Sequence, residues 1–178
     1  MTTDTHTLNR RSALTLSATT LTGAALVAML GTSAPALAKV RANPHQDVQL
    51  LNAAISLEHE GIGAYQIGAE SGLLAPDVLK LAVTFQGHHK QHRDELIAAV
   101  RRLGGQPAEA KSLGNYAASL GASAIKSQGD ILQLALKLER GAANAYLGLI
   151  PSLGATAFHT LAARMAGCGG HGLLNRGL

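Results

Sequence analysis

Two phrases 81 residues apart constrain this chain more than any other feature: LEHEGIGAY at 57–65 and LERGAANAY at 138–146. Each sets Leu-Glu ahead of Ala-Tyr, as Leu57-Glu58 with Ala64-Tyr65 and as Leu138-Glu139 with Ala145-Tyr146. Tyrosine occurs three times in the 178 residues, and two of these stand seven places after a glutamate in this frame. The two phrases therefore mark equivalent segments, and any fold must place them in related positions.

Both segments read as helix. From 48 the apolar residues Val48, Leu51, Ile55, Ile62 and Tyr65 fall at helical spacing, to about Leu73. Ala75-Pro76-Asp77 forms a turn and a helix start, with proline tolerated in the first turn. A second helix follows through Val78, Ala82, Phe85, Leu96 and Val100 to Leu103, where Gly104-Gly105 stop it. Residues 104–126 are rich in Gly, Ser and Ala and predict a long connection with a short helix near 116–125. A third helix spans about 128–150 and stops at Pro151; a fourth starts near Thr156 with Phe158, Leu161 and Met165. No segment sustains the two-residue alternation of a strand. The expected fold is all-α: two helical hairpins joined by a long crossover, with one copy of the phrase in the first helix of each hairpin.

The carboxylates stand where a core residue is expected. On the first helix the stripe Leu51, Ile55, Glu58, Ile62, Tyr65 advances by 4, 3, 4, 3 and follows one face. On the third helix the same steps give Leu132, Leu136, Glu139, Ala143, Tyr146. Burying a lone carboxylate is costly unless it is paired or bound to a cation. A single inward glutamate suggests a salt bridge or a tyrosine hydrogen bond; two at symmetric positions point to half of a metal site. In a metal-free chain, removing either carboxylate is expected to stabilise the fold by deleting a buried charge.

The second helix carries FQGHHKQHRDEL at 85–96. Phe85, His89, His92 and Leu96 step by 4, 3, 4 along the core stripe, while His88 lies off it. Neutral imidazole is a common ligand for Fe, Zn and Cu. The plainer reading is one hydrogen-bonded core histidine with surface neighbours.

The phrases LEHEGIGAYQIGAESGLL, FQGHHKQHRDEL and LERGAANAYLG resemble the exported ferritin-like domain proteins of bacteria, over about 48–165. The resemblance implies a ferritin-like four-helix bundle that binds iron or manganese, and an activity toward Fe(II) or peroxide. Metal-binding members give one Glu from each of two helices and Glu-x-x-His from each of the others. Glu58 and Glu139 match the single-Glu positions. Three places before His89 stands Gln86, an amide, and Glu95 follows His92 in the reverse order. Adding 81 to 89 points near His171, which sits in GCGGHGLL three places after Cys168. Those glycines predict a break there, leaving the fourth helix short or degenerate. The candidate ligands are Glu58, His89, His92 and Glu139, with Gln86, Glu95 and His171 as weaker members. A two-metal site wants about four carboxylates and two imidazoles, so this set suits no more than one ion.

The N-terminus adds an address. Arg10-Arg11 precede an uncharged run from Ser12 to Leu37, which ends in a small-residue pattern at Ala36-Leu37-Ala38. This reads as a secretion signal over 1–38 of the twin-arginine kind, cleaved near Ala38, although Ala13 stands where a Phe is common. The run is diluted by Thr, Ser and Gly, so it makes a poor membrane anchor. A linker at 39–47 and the bundle at 48–178 complete the expected organisation, with a periplasmic or extracellular destination.

Losing Asp4, Arg10 and Arg11 with the leader takes the net charge from +4 to +3. That is too weak to argue for nucleic acid, and no basic stripe supports it. The lone Cys168 excludes an internal disulfide framework, and no G-x-S-x-G or phosphate loop supports a hydrolase. Two functions remain open. One is a metal protein acting in metal handling or in oxidative or envelope stress. The other is a metal-free bundle with a structural or binding role, such as homodimerisation.

Overall fold

The computed structural model describes residues 43–154 and 156–174, with the backbone alone at 156–157 and 168–174. The leader with Arg10-Arg11, its cleavage point at Ala38 and the linker residues 39–42 lie outside the described residues, as do the side chains of Cys168 and His171. The described residues form four long helices and one short one: α1 (Pro44–Glu70), α2 (Pro76–Arg102), α3 (Leu113–Ser119), α4 (Gln128–Leu149) and α5 (Thr156–Leu174). No strand occurs among them. None of these helices is long and apolar enough to cross a membrane.

The first helix begins four residues before the apolar periodicity does. Pro44 occupies its first turn and the Asn43 side chain accepts the Gln46 N–H at 3.3 Å, satisfying a donor the helix itself cannot. Asp47, at 2% exposure, is held inside because its Oδ1 accepts the Gly154 N–H at 2.9 Å. That bond ties the start of α1 to the turn between α4 and α5. Apolar spacing could not show it, because the buried residue is charged.

Turn and cap residues mark the breaks between the helices. Gly72 and Gly104 adopt φ of 72° and 74°, a left-handed backbone that glycine takes without steric penalty. Ser127 caps α4 by accepting the Asp130 N–H at 3.2 Å. Pro151 sits in a single 3-10 turn, Ile150–Ser152, before α5. The crossover between α2 and α4 is strapped to α1. The Asn52 amide donates to the Gln106 carbonyl at 2.8 Å and its Oδ1 accepts the Ala108 N–H at 2.7 Å. A buried imidazole, His59, contacts the Ala108 carbonyl at 3.2 Å.

Two apolar clusters fill the bundle. The larger joins Leu51, Ala54 and Ile55 of α1 to Leu96 and Val100 of α2, Tyr146 and Leu149 of α4, and Phe158 and Met165 of α5. The smaller holds Tyr65, Ala82 and Phe85, with Leu74, Leu81 and Ala135 against it. The polar residues described below lie between the two.

Two expectations are corrected. The stripe on α4 does not run through Leu136, which is 39% exposed; Ala135 packs inward and Ile131 is buried instead. One residue is a turn of about 100° on a helix, enough to exchange the inward position for the outward one. The fourth helix also does not stop at its glycines. It continues through 167–172 to Leu174, though its 19 residues still make it the shortest of the four long helices. Each interior glycine costs about 1 kcal/mol relative to alanine, a weak preference that tertiary context overrides. Phe158, Ala162 and Met165 anchor the preceding turns in the larger cluster.

Candidate metal centre

Glu58 and Glu139 enter the bundle from α1 and α4, buried to 1% and 5% exposure. His89 lies between them. Its Nδ1 stands 2.6 Å from Glu58 Oε2 and its Nε2 stands 3.2 Å from Glu139 Oε1. With a carboxylate at each ring nitrogen both nitrogens donate, so the metal-free imidazole is a cation. His92, one turn further along α2, brings Nδ1 to 3.6 Å from Glu58 Oε1. The two imidazoles meet edge-on with centroids 6.4 Å apart.

The tyrosines of the repeat complete the arrangement by crossing over. Tyr65 of the first phrase donates to Glu139 Oε1 at 2.7 Å. Tyr146 of the second donates to Glu58 Oε1. Seven residues of helix rise about 10.5 Å, which sets each tyrosine well apart from the glutamate of its own phrase. Each holds the other's. The spacing was in the sequence; the exchange between hairpins was the part that sequence reading missed.

Electrostatics follow from these contacts. Burial alone would raise the Glu58 carboxyl. The hydrogen bond and charge of His89, the nearby His92 imidazole and the Tyr146 hydroxyl outweigh it and hold the group at about 2. For His89 burial disfavours the cation, but the hydrogen bonds and charges of Glu139 and Glu58 lift it to about 9. Burial and the neighbouring carboxylates push both Tyr65 and Tyr146 up, keeping them as neutral donors.

The expectation of an uncompensated buried charge is therefore overturned. Among the described residues no buried side-chain nitrogen or oxygen lacks a hydrogen-bond partner. Without metal, Glu58 already has His89, His92 and Tyr146 beside it, so deleting it would orphan partners rather than remove an unpaired charge.

The weaker candidates stand apart. Gln86 is buried, but its amide donates to the Ile62 carbonyl at 3.2 Å and to Gln66 Oε1 at 2.7 Å, while its own oxygen accepts from Lys90. Glu95 is on the surface, paired with Arg164. His88 is exposed and packs edge-on to Phe85. The His171 side chain lies outside the described residues.

The donor set fits one divalent ion. Glu58, His89 and His92 can each offer a ligand atom, all within 4.8 Å of one another. One carboxylate and two imidazoles suit Fe(II), Mn(II) or Zn(II). Glu139 falls outside that group and touches the far nitrogen of His89, the position from which a carboxylate orients a ligating imidazole.

The known proteins agree with this architecture. No curated protein matches the chain in sequence. A conserved hypothetical protein from Mycobacterium tuberculosis, seen in a crystal structure, superposes with a TM-score of 0.60 at 21% identity, covering 72% of this chain and 92% of its own. At that identity the likeness speaks for the fold alone. The ferritin-like domain profile matches residues 46–170, from the first turn of α1 into the glycine-rich end of α5. Hairpins, crossover and inward glutamates all lie within that span, and the chain belongs to the ferritin-like domain family.

Proposed function

We propose that this protein holds a single iron or manganese ion in the bundle through Glu58, His89 and His92, with Glu139 orienting His89, and that it serves metal handling or oxidative-stress tolerance outside the cytoplasm. The observation that carries the reading is the convergence of one carboxylate and two imidazoles from α1 and α2 within 4.8 Å. Bound iron would supply one-electron chemistry toward oxygen or peroxide. The chain supplies the rest. On binding, His89 would release its Nδ1 proton to solvent and keep Nε2–H on Glu139. Tyr65 and Tyr146 fix the two carboxylates, and the apolar clusters on either side exclude water.

Charge favours one ion over two. Glu58 and Glu139 carry two negative charges between them, and a pair of divalent ions brings four positive ones. Gln86 supplies an amide where a further carboxylate would be needed.

Export belongs to the same proposal and rests on Arg10-Arg11 and the uncharged run behind them. Replacing Arg10-Arg11 with Lys-Lys blocks processing if the twin-arginine route is used. Mature protein reaching the periplasm in normal amount would exclude that route.

The metal-free reading has one observation in its favour, the completely satisfied polar network. Metal content of untagged protein, for wild type and Glu58→Ala, decides between them. One ion per wild-type chain that is lost in Glu58→Ala supports the proposal. No ion in the wild type after addition of Fe(II) or Mn(II) under anaerobic conditions leaves a structural network.

A further inference from the structure

The phrases LEHEGIGAY and LERGAANAY differ at one buried place that bears on the centre: Gly61 in the first corresponds to Ala142 in the second. A methyl built on Gly61 would stand 2.9 Å from both Cε1 and Nδ1 of His89, and 3.2 Å from its Cγ. Contacts under 3.0 Å do not persist, so the ring would have to move. It cannot move freely, because Glu58 and Glu139 hold it at either nitrogen. The imidazole thus lies close against the backbone of α1 in space that only glycine leaves open. The second phrase has no such demand. Position 170, 81 residues after His89, is Gly170, which has no ring to admit, and Ala142 turns its methyl toward the larger apolar cluster.

We propose that Gly61 is the positioning residue of this centre. It admits the His89 ring between the two glutamates, a demand that the second phrase, with Ala142 here and Gly170 at the place corresponding to His89, does not make. The inference rests on the metal reading above for its consequence, but not for its contact, which exists in the metal-free protein. A purely structural role predicts the opposite behaviour. Alanine is the better helix former, so Gly61→Ala in open space would stabilise α1.

The test is a cycle on the chelated full chain: wild type, Gly61→Ala, His89→Ala and the double variant. Gly61→Ala is expected to lower the melting temperature in the wild-type background and to raise it in the His89→Ala background. With labelled imidazoles, Gly61→Ala shifts the nitrogen resonances of His89 and leaves those of His159 in place. Titrated with Mn(II), Gly61→Ala loses at least ten-fold in affinity. Gly141→Ala, whose new methyl meets nothing within 4 Å, binds as wild type does. A higher melting temperature in both backgrounds with unmoved His89 resonances overturns the inference. So does a wild type that binds Mn(II) no better than Gly61→Ala, in which case the metal reading stands. A wild type that binds no metal removes the metal reading, and the cycle still decides whether Gly61 places His89.

Discussion

Tyr65 donates to Glu139 at 2.7 Å, so the tyrosine of the first repeated phrase holds the carboxylate of the second. Tyr146 returns the contact to Glu58, and His89 joins the two glutamates from a third helix. The two hairpins are thereby linked by hydrogen bonds through the middle of the bundle, between two apolar clusters. Three of these four contacts, Tyr65–Glu139, Tyr146–Glu58 and His89–Glu139, span the crossover, and His89–Glu58 lies within the first hairpin.

Removing either hydroxyl leaves a buried carboxylate with one partner fewer. Tyr65→Phe and Tyr146→Phe are each expected to destabilise the metal-free protein by about 1–3 kcal/mol. Because both glutamates share His89, the double variant should depart from additivity by more than about 0.5 kcal/mol. Urea unfolding of the four proteins gives the coupling, and strict additivity would mean that the two halves of the network act independently.

Stability of the metal-free protein should depend on pH on both sides of a plateau. Glu58 has a folded value of about 2 against 4.5 for the free carboxyl, a depressed value. Its contribution is fully present above the unfolded value and disappears as pH falls toward 2. His89 has a folded value of about 9 against 6.5, a raised value. Its contribution is fully present below 6.5 and is lost as pH rises through 9. Unfolding free energy measured from pH 3 to pH 9 should therefore peak between about 4.5 and 6.5. His89→Asn should remove the decline on the alkaline side. A decline that persists in that variant would assign it to another group.

Gln86 stands where a metal-binding relative would carry an acid, yet restoring that acid should not rebuild a second site. The Gln86 amide donates to two acceptors, the Ile62 carbonyl and Gln66 Oε1. In Gln86→Glu those acceptors would face a carboxylate, with only Lys90 to compensate. The variant is expected to lose about 1–3 kcal/mol at neutral pH and to recover part of it in acid, where the new group can donate. Metal analysis should still find no more than one ion per chain. Two ions would show that the single missing carboxylate at position 86 is what limits the wild type.

The Asn52 side chain straps the crossover to α1. Asn52 accepts from one backbone group and donates to another at 106–108. Asn52→Ala is expected to cost about 1–3 kcal/mol and to raise the amide exchange rate of Ala108 well above that of the helices. Unchanged exchange at Ala108 would mean that the strap is held by packing and not by these bonds.

The repeat, helical periodicity and Pro/Gly punctuation determined the helix order and the hairpin pairing, because these depend on local spacing and on backbone conformations few residues adopt. They also determined that Glu58, Glu139, His89 and His92 face inward, since a 3.6-residue period fixes a face. Three things were decided only by tertiary structure. Leu136 turned outward because the choice between adjacent positions on a broad stripe depends on which neighbour covers it. The fourth helix ran through its glycines because a propensity of about 1 kcal/mol per residue yields to the helix as a whole. The buried charges proved to be paired and not exposed to one another, because the partners come from the opposite hairpin and from the gap at Gly61. A period can tell which side of a helix a residue occupies, but not which atom waits across the core.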